Sequence, residues 1–214
     1  TAWLLLPRVA TTPQLHGRVV ALIADSLDHQ SAWDSAIVAY DMMLRHLPGD
    51  HPAAIHLRVR RAAAHLFADR LADADDELRK LRGMMDRFTG TVIGAGFHVA
   101  QLAQHVLTHH DDDAVAMADS LLNDLRPLGL DAAFGHALMA LSYHRLDSRN
   151  ADADTDALEQ SGRWWGRATL LLPIDVLVRR FDALRPLADD DRMRTYAQSP
   201  WPPTHSDSTH AGNA

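Results

Sequence analysis

Apolar residues recur along this chain at the three-to-four-residue spacing of a helix, from about residue 12 to residue 188. Periodicity marks no segment as a strand. Thr12-Pro13 supplies a capping residue and a first-turn proline, and Leu15, Val19, Leu22, Ile23 and Leu27 then predict a helix over 12–28. Ser31 is placed to cap a second helix carrying Trp33, Ile37, Tyr40, Met43 and Leu44, which Pro48-Gly49-Asp50 ends. Pro52 opens a third helix that runs to about residue 69. Softer breaks predict helices over 71–88, 91–109, 112–126, 131–147 and 152–170, and Pro173 then forces an interruption before an apolar closing helix over 174–187. Beyond it, Asp189-Asp190-Asp191 and Ser199-Pro200-Trp201-Pro202-Pro203 lead into a polar end with no apolar period to offset its ordering entropy. The organisation read from the pattern is a lead segment over 1–11, a helical domain over 12–188 and a largely disordered acidic, Pro/Ser/His-rich tail over 189–214.

The helices carry an internal repeat. Pairs of small or apolar residues twelve positions apart, Ala24/Ala36, Ala62/Ala74, Leu102/Ala114 and Leu141/Ala153, follow one another at intervals of 38, 40 and 39 residues. Three residues after the first member of each pair stand Leu27, His65, His105 and His144. A helix pair of this length cannot bury its apolar stripe alone, so successive units must stack. Laid over one another, the units resemble degenerate tetratricopeptide repeats. That family keeps small residues at the positions of these pairs, an aromatic matched by Tyr40 and a terminal proline matched by Pro48. Leu78, Ala118 and Ala157 replace the aromatic in the later units, and each unit is about one helical turn longer than the 34 residues of the family. The resemblance implies an all-α fold of stacked antiparallel helix pairs, a short superhelical array or α-solenoid.

Composition narrows the function classes. The 214 residues are 47% apolar, enough for a continuous core, and the formal net charge of −7 argues against nucleic acid or anionic lipid as the main partner. The chain has no cysteine, so it holds neither a disulfide framework nor a thiolate site. Glu occurs only at Glu77 and Glu159 and Lys only at Lys80, a bias that points to a high-GC, bacterial coding sequence. The run Trp3-Leu4-Leu5-Leu6 is too short to span a bilayer, so no membrane insertion is expected. Thr1 fits a processed start and the edge of a longer protein equally, so the compartment stays open, with cytoplasm as the default.

Several motifs invite chemistry. Val92-Ile93-Gly94-Ala95-Gly96 resembles the first strand and turn of a dinucleotide-binding fold, with Ala114 to Asp119 as a second strand ending in a ribose-binding acid. Against it, the third glycine position holds Val99, the acid lies 25 residues beyond Gly94, and no third strand follows. His98, His105 and His109 share a helical face, yet no motif supplies further metal ligands, and the repeat histidines read more simply as packed rings. The acidic runs Asp73 to Asp76 and Asp152 to Asp156 favour helix N-termini; the second lacks the glycine and distal Glu of a calcium loop. Trp164-Trp165 is read as packing or as a docking spot, and Trp201 as a short docking motif or as part of an unstructured terminus. No Gly-x-Ser-x-Gly elbow provides a nucleophile.

The expectation is therefore a non-catalytic module, without metal or cofactor, that binds a protein or peptide segment as part of a larger chain or oligomer. The alternative is a Rossmann-type oxidoreductase fragment. The tetratricopeptide resemblance implies that the first helix of each unit lines a concave face, at Val59, Ala63 and Phe67, at Val99, Ala103 and Val106, and at Leu138, Ser142 and Arg145. The Lys/Asn clamp by which some family members grip a terminal carboxylate has no counterpart, so an amphipathic or apolar guest is expected. The closing helix, with Ile174, Leu177, Val178 and Phe181, is the other possible occupant of that face.

Overall fold

The computed structural model describes residues 32–117, 130–149 and 155–198. These form ten α-helices and no strand: α1 (Trp33–Leu44), α2 (Pro52–Phe67), α3 (Leu71–Arg82), α4 (Val92–Leu107), α5 (Asp111–Ala116), α6 (Leu130–Arg149), α7 (Thr155–Leu171), α8 (Ile174–Arg180), α9 (Arg185–Asp189) and α10 (Asp191–Gln198). Single 3-10 turns lie at Met85–Phe88 and Asp182–Leu184. The helix expected over 12–28 lies outside the described residues, as do Ala24 and Ala153.

Local chemistry sets the helix ends. Pro52 occupies the first turn of α2, and His51 Nδ1 accepts from the Ala53 amide at 3.1 Å. Thr91 caps α4, its hydroxyl accepting from the Gly94 amide at 3.3 Å and donating to the Phe88 carbonyl at 2.6 Å. The capping role expected of Ser31 falls outside the described residues; Ala32 precedes α1 without a side-chain cap.

One turn occurs twice. Helix α2 ends with Asp69 at φ 59° and α4 with His109 at φ 58°, forty residues on. The Arg70 amide reaches back to the His65 carbonyl at 2.8 Å, and the His110 amide to the His105 carbonyl at 2.9 Å. Both close the helix as Schellman turns. The next helix then starts from nearly identical backbone angles, −101° and 61° at Arg70 and −93° and 60° at His110.

Each helix packs against its chain neighbour: α1 on α2, α2 on α3, α4 on α5 and α6 on α7. In addition α2 lies against α4 and α4 against α6, so the three long helices stand in a row. The small residues of the repeat sit at these contacts. Ala36, Ala62, Ala74 and Ala114 have no exposed surface, and Leu102 and Leu141 are equally buried. Tyr40 and Leu78, at corresponding positions of two units, are both core.

Two expectations about the C-terminal part are corrected. The closing helix over 174–187 is broken, because Phe181 adopts an extended backbone (φ −147°) and Pro186 cannot donate the amide that a continuous helix needs. The tail expected over 189–214 does not start at 189, since Asp191–Gln198 is helix α10. Its acidic opening is a cap: the Arg192 amide donates to Asp190 Oδ1 at 2.8 Å. Met193 is fully buried, and Tyr196 lies over Gly162, where an added Cβ would fall 2.3 Å from its ring. Residues 199–214, Trp201 among them, lie outside the described residues.

Replacing Ala74 or Ala114 with Leu is expected to cost about 1–3 kcal/mol in urea titration, by forcing apart helices already in contact. Val38→Leu, at a 54% exposed position of α1, should change stability by less than about 0.5 kcal/mol. Unchanged midpoints in both alanine variants would show that the helices do not meet at these residues.

Candidate functional site

An open concavity on the described surface lies between α2 and α4. The helices approach closely because Gly96 faces Val59; a Cβ on Gly96 would sit 3.4 Å from the Val59 methyl. Val59, Ala63, Val99, Ala100 and Ala103 form the floor. His56 and Arg60 stand along the α2 wall, and Val92, 47% exposed, stands on the α4 wall. Phe67, Phe134 and Arg180 close one end.

That end is an aromatic plug. The Phe67 ring meets Phe134 edge-on at 5.1 Å, Phe181 at 5.6 Å and Trp33 at 4.9 Å, and Phe134 and Phe181 are 6.0 Å apart. The Arg180 guanidinium sits over Phe134 at 5.4 Å and Trp33 at 5.9 Å. The broken closing segment therefore reaches one end of the groove, through Phe181 and Arg180. Leu177 is buried in the core.

Of the residues expected on the concave face, Val59, Ala63, Phe67, Val99 and Ala103 line this groove. Val106, Leu138, Ser142 and Arg145 do not. Val106, Leu138 and Ser142 are fully buried, and the Ser142 hydroxyl donates to the Leu138 carbonyl at 3.1 Å. The closing segment also packs on α6, through Asp182–Leu184 and α9. Arg145 works inside the fold: it donates to the Val106 carbonyl at 2.7 Å and, with Arg149, holds the buried Asp111. His56, Arg60, Val92 and Gly96 were not anticipated. Their signal was helical phase alone, His56 one turn before Arg60 and Val92 one turn before Gly96.

The remaining motifs resolve into structure. Val92–Gly96 is the first turn of α4, so the strand that a dinucleotide fold requires there is helix. Gly94 is needed for packing, because its Cβ would lie 2.4 Å from the Phe88 carbonyl oxygen. Among the described residues no three His, Asp or Glu side chains gather as a metal site. His109 occupies the left-handed turn, and His105 meets His110 edge-on at 6.3 Å. The Asp152 to Asp156 run lies outside the described side chains. Trp164 and Trp165 are buried, Trp164 between the His136 ring at 5.1 Å and the Arg167 guanidinium at 5.2 Å. The second buried acid, Glu77, receives Arg58 at 2.5 Å and Arg61 at 2.7 Å, and Arg61 also reaches Asp41, joining α1, α2 and α3. Among the described residues no helix is long and apolar enough to cross a membrane.

Comparison of the chain with protein-family models, with curated proteins and with solved structures returns no match.

The repeat histidines each face an acid: His65 stands 3.9 Å from Asp73, His105 3.9 Å from Asp113, and His144 3.1 Å from Asp190. Burial pushes His65 and His105 below the ordinary imidazole value, against the pull of those carboxylates. Burial, with Arg167 nearby, pushes His136 down to about 4. The Arg192 hydrogen bond holds Asp190 well below the usual carboxylate range, so its contribution persists to low pH.

Groups depressed in this way bind protons better when unfolded, so stability is full above pH about 6.5 and falls as pH drops towards about 4. His136→Phe is expected to reduce that fall by up to about 1 kcal/mol per pH unit, read as urea midpoints between pH 7 and pH 4.5. A variant with the wild-type slope would show that His136 is protonated alike in folded and unfolded chains.

Proposed function

We propose that the chain is a non-catalytic helical-repeat module that holds a segment of another protein in the groove between α2 and α4. The observation carrying this reading is the groove itself, an apolar floor of Val59, Ala63, Val99, Ala100 and Ala103 bounded by Phe67, Phe134 and Arg180. Five of its lining residues are those that the tetratricopeptide resemblance implies. The twice-used turn at Asp69 and His109, the row of α2, α4 and α6 and the buried alanines support an α-solenoid arrangement. A segment laid in such a groove gains affinity from buried apolar surface and specificity from the walls. Stacked modules of this kind commonly serve as parts of larger chains or assemblies.

Ala63→Glu and Val92→Glu place charge on the floor and on an exposed wall position. Each is expected to weaken partner capture by at least about tenfold, with helix content unchanged and the melting temperature nearly so, read by cross-linking mass spectrometry against the wild-type chain. Undiminished capture by both variants would move the binding surface elsewhere.

A further inference from the structure

Two of the stacked helix pairs carry the same titratable joint. His65, on the last turn of α2, has its Nδ1 3.9 Å from Asp73 Oδ2 on α3, and His105, on the last turn of α4, has its Nδ1 3.9 Å from Asp113 Oδ2 on α5. Each pair spans one of the two Schellman turns, and the histidine's own carbonyl accepts the amide that closes the turn, from Arg70 and from His110. The sequence repeats the arrangement: His65 and Asp73, His105 and Asp113, and His144 and Asp152 share one spacing, whereas Leu27 and Ser35 hold those places in the first unit. Asp152 lies outside the described residues, and His144 meets Asp190.

The surroundings disfavour a charged ring. His65 Nδ1 is buried and meets no hydrogen-bond partner among the described residues, so a second ring proton there finds no acceptor at bonding distance. Around His65 stand Arg61 on α2, Arg70 in the turn, Asp73 on α3 and Asp41 on α1, and Asp41 is engaged by Arg61. His105 faces Asp113, Arg82 on α3, and His110, whose ring meets it edge-on at 6.3 Å. Asp73 and Asp113 are both exposed. A protonated ring is therefore drawn out of its slot towards a solvated carboxylate, and leaving the slot loosens α3 from α2 or α5 from α4.

We propose that these two joints are a pH-responsive hinge built into the repeat: mild acidification protonates His65 and His105 and opens α2 from α3 and α4 from α5, while α6 stays packed on α7. Both rings sit below the ordinary imidazole value when the pairs are closed, so protons favour the loosened state and opening grows as pH falls below about 6.5. The hinge rests on the packing of these helix pairs and is independent of what the groove holds.

Amide hydrogen exchange of the full chain, corrected for the intrinsic pH dependence of exchange, reads each joint through the amide that closes its turn. Between pH 7 and about pH 5, protection of the Arg70 and His110 amides should fall at least about threefold, and that of the Leu141 amide in α6 far less. His65→Gln should remove the fall at Arg70 and leave it at His110, and His105→Gln the reverse. Asp73→Asn and Asp113→Asn, at exposed positions, cover the case in which glutamine disturbs folding. Each takes away the carboxylate that favours the charged ring, and should move the fall at its own turn to lower pH. Protection that does not fall, or falls alike at all three amides, would overturn the hinge, as would a fall that survives His65→Gln and His105→Gln together and keeps its midpoint in the Asn variants.

Discussion

Close approach of helices at small side chains is the constraint on which the rest of this structure depends. Helix axes can come near only where the facing residues are Ala or Gly, and the fold places them there in turn: Ala36, Ala62, Ala74 and Ala114 buried without remainder, Gly96 against Val59, Gly94 against the Phe88 carbonyl, and Gly162 beneath Tyr196. Each contact fixes the height of one helix on its neighbour. That height then decides which side chains meet across the seam, from the Glu77 ion pairs to the aromatic plug.

The polar interior follows from the same packing. Glu77 and Asp111 are buried acids, and each is met by two arginines from neighbouring helices, which offsets the loss of water around the carboxylate. Because such pairs are costly when broken, they hold the order in which helices stack more than they raise stability. The groove is what the packing leaves open. Its floor is the seam between α2 and α4, and its far end is shut only because Phe181 leaves helical geometry and turns into Phe67 and Phe134.

How much of this was legible in the sequence varies by residue. The helices were, since period, Pro52 and the spacing of Ala62 and Ala74 each act locally; Val59, Ala63, Phe67, Val99 and Ala103 of the groove were named only as what the tetratricopeptide resemblance implies. The left-handed turns at Asp69 and His109 were not, because neither residue is the glycine that usually marks such a position. Leu138 and Ser142 were placed on an open face by what the resemblance implies; both are fully buried, through tertiary packing that no local pattern encodes. Asp189-Asp190-Asp191 was read as the opening of the tail, whereas the packing of Met193 and Tyr196 against α7 makes Asp191 the start of a helix.

The central claim is that α2 and α4 lie side by side through Gly96 and so form the groove. Nuclear Overhauser contacts between the Val59 methyl groups and the Gly96 α-protons test it most directly, since the side chain that Gly96 lacks would sit 3.4 Å from a Val59 methyl carbon. The account predicts strong cross-peaks between these protons in the folded chain. Assigned resonances with no such cross-peaks would contradict the packing of α2 on α4 and remove the groove with it.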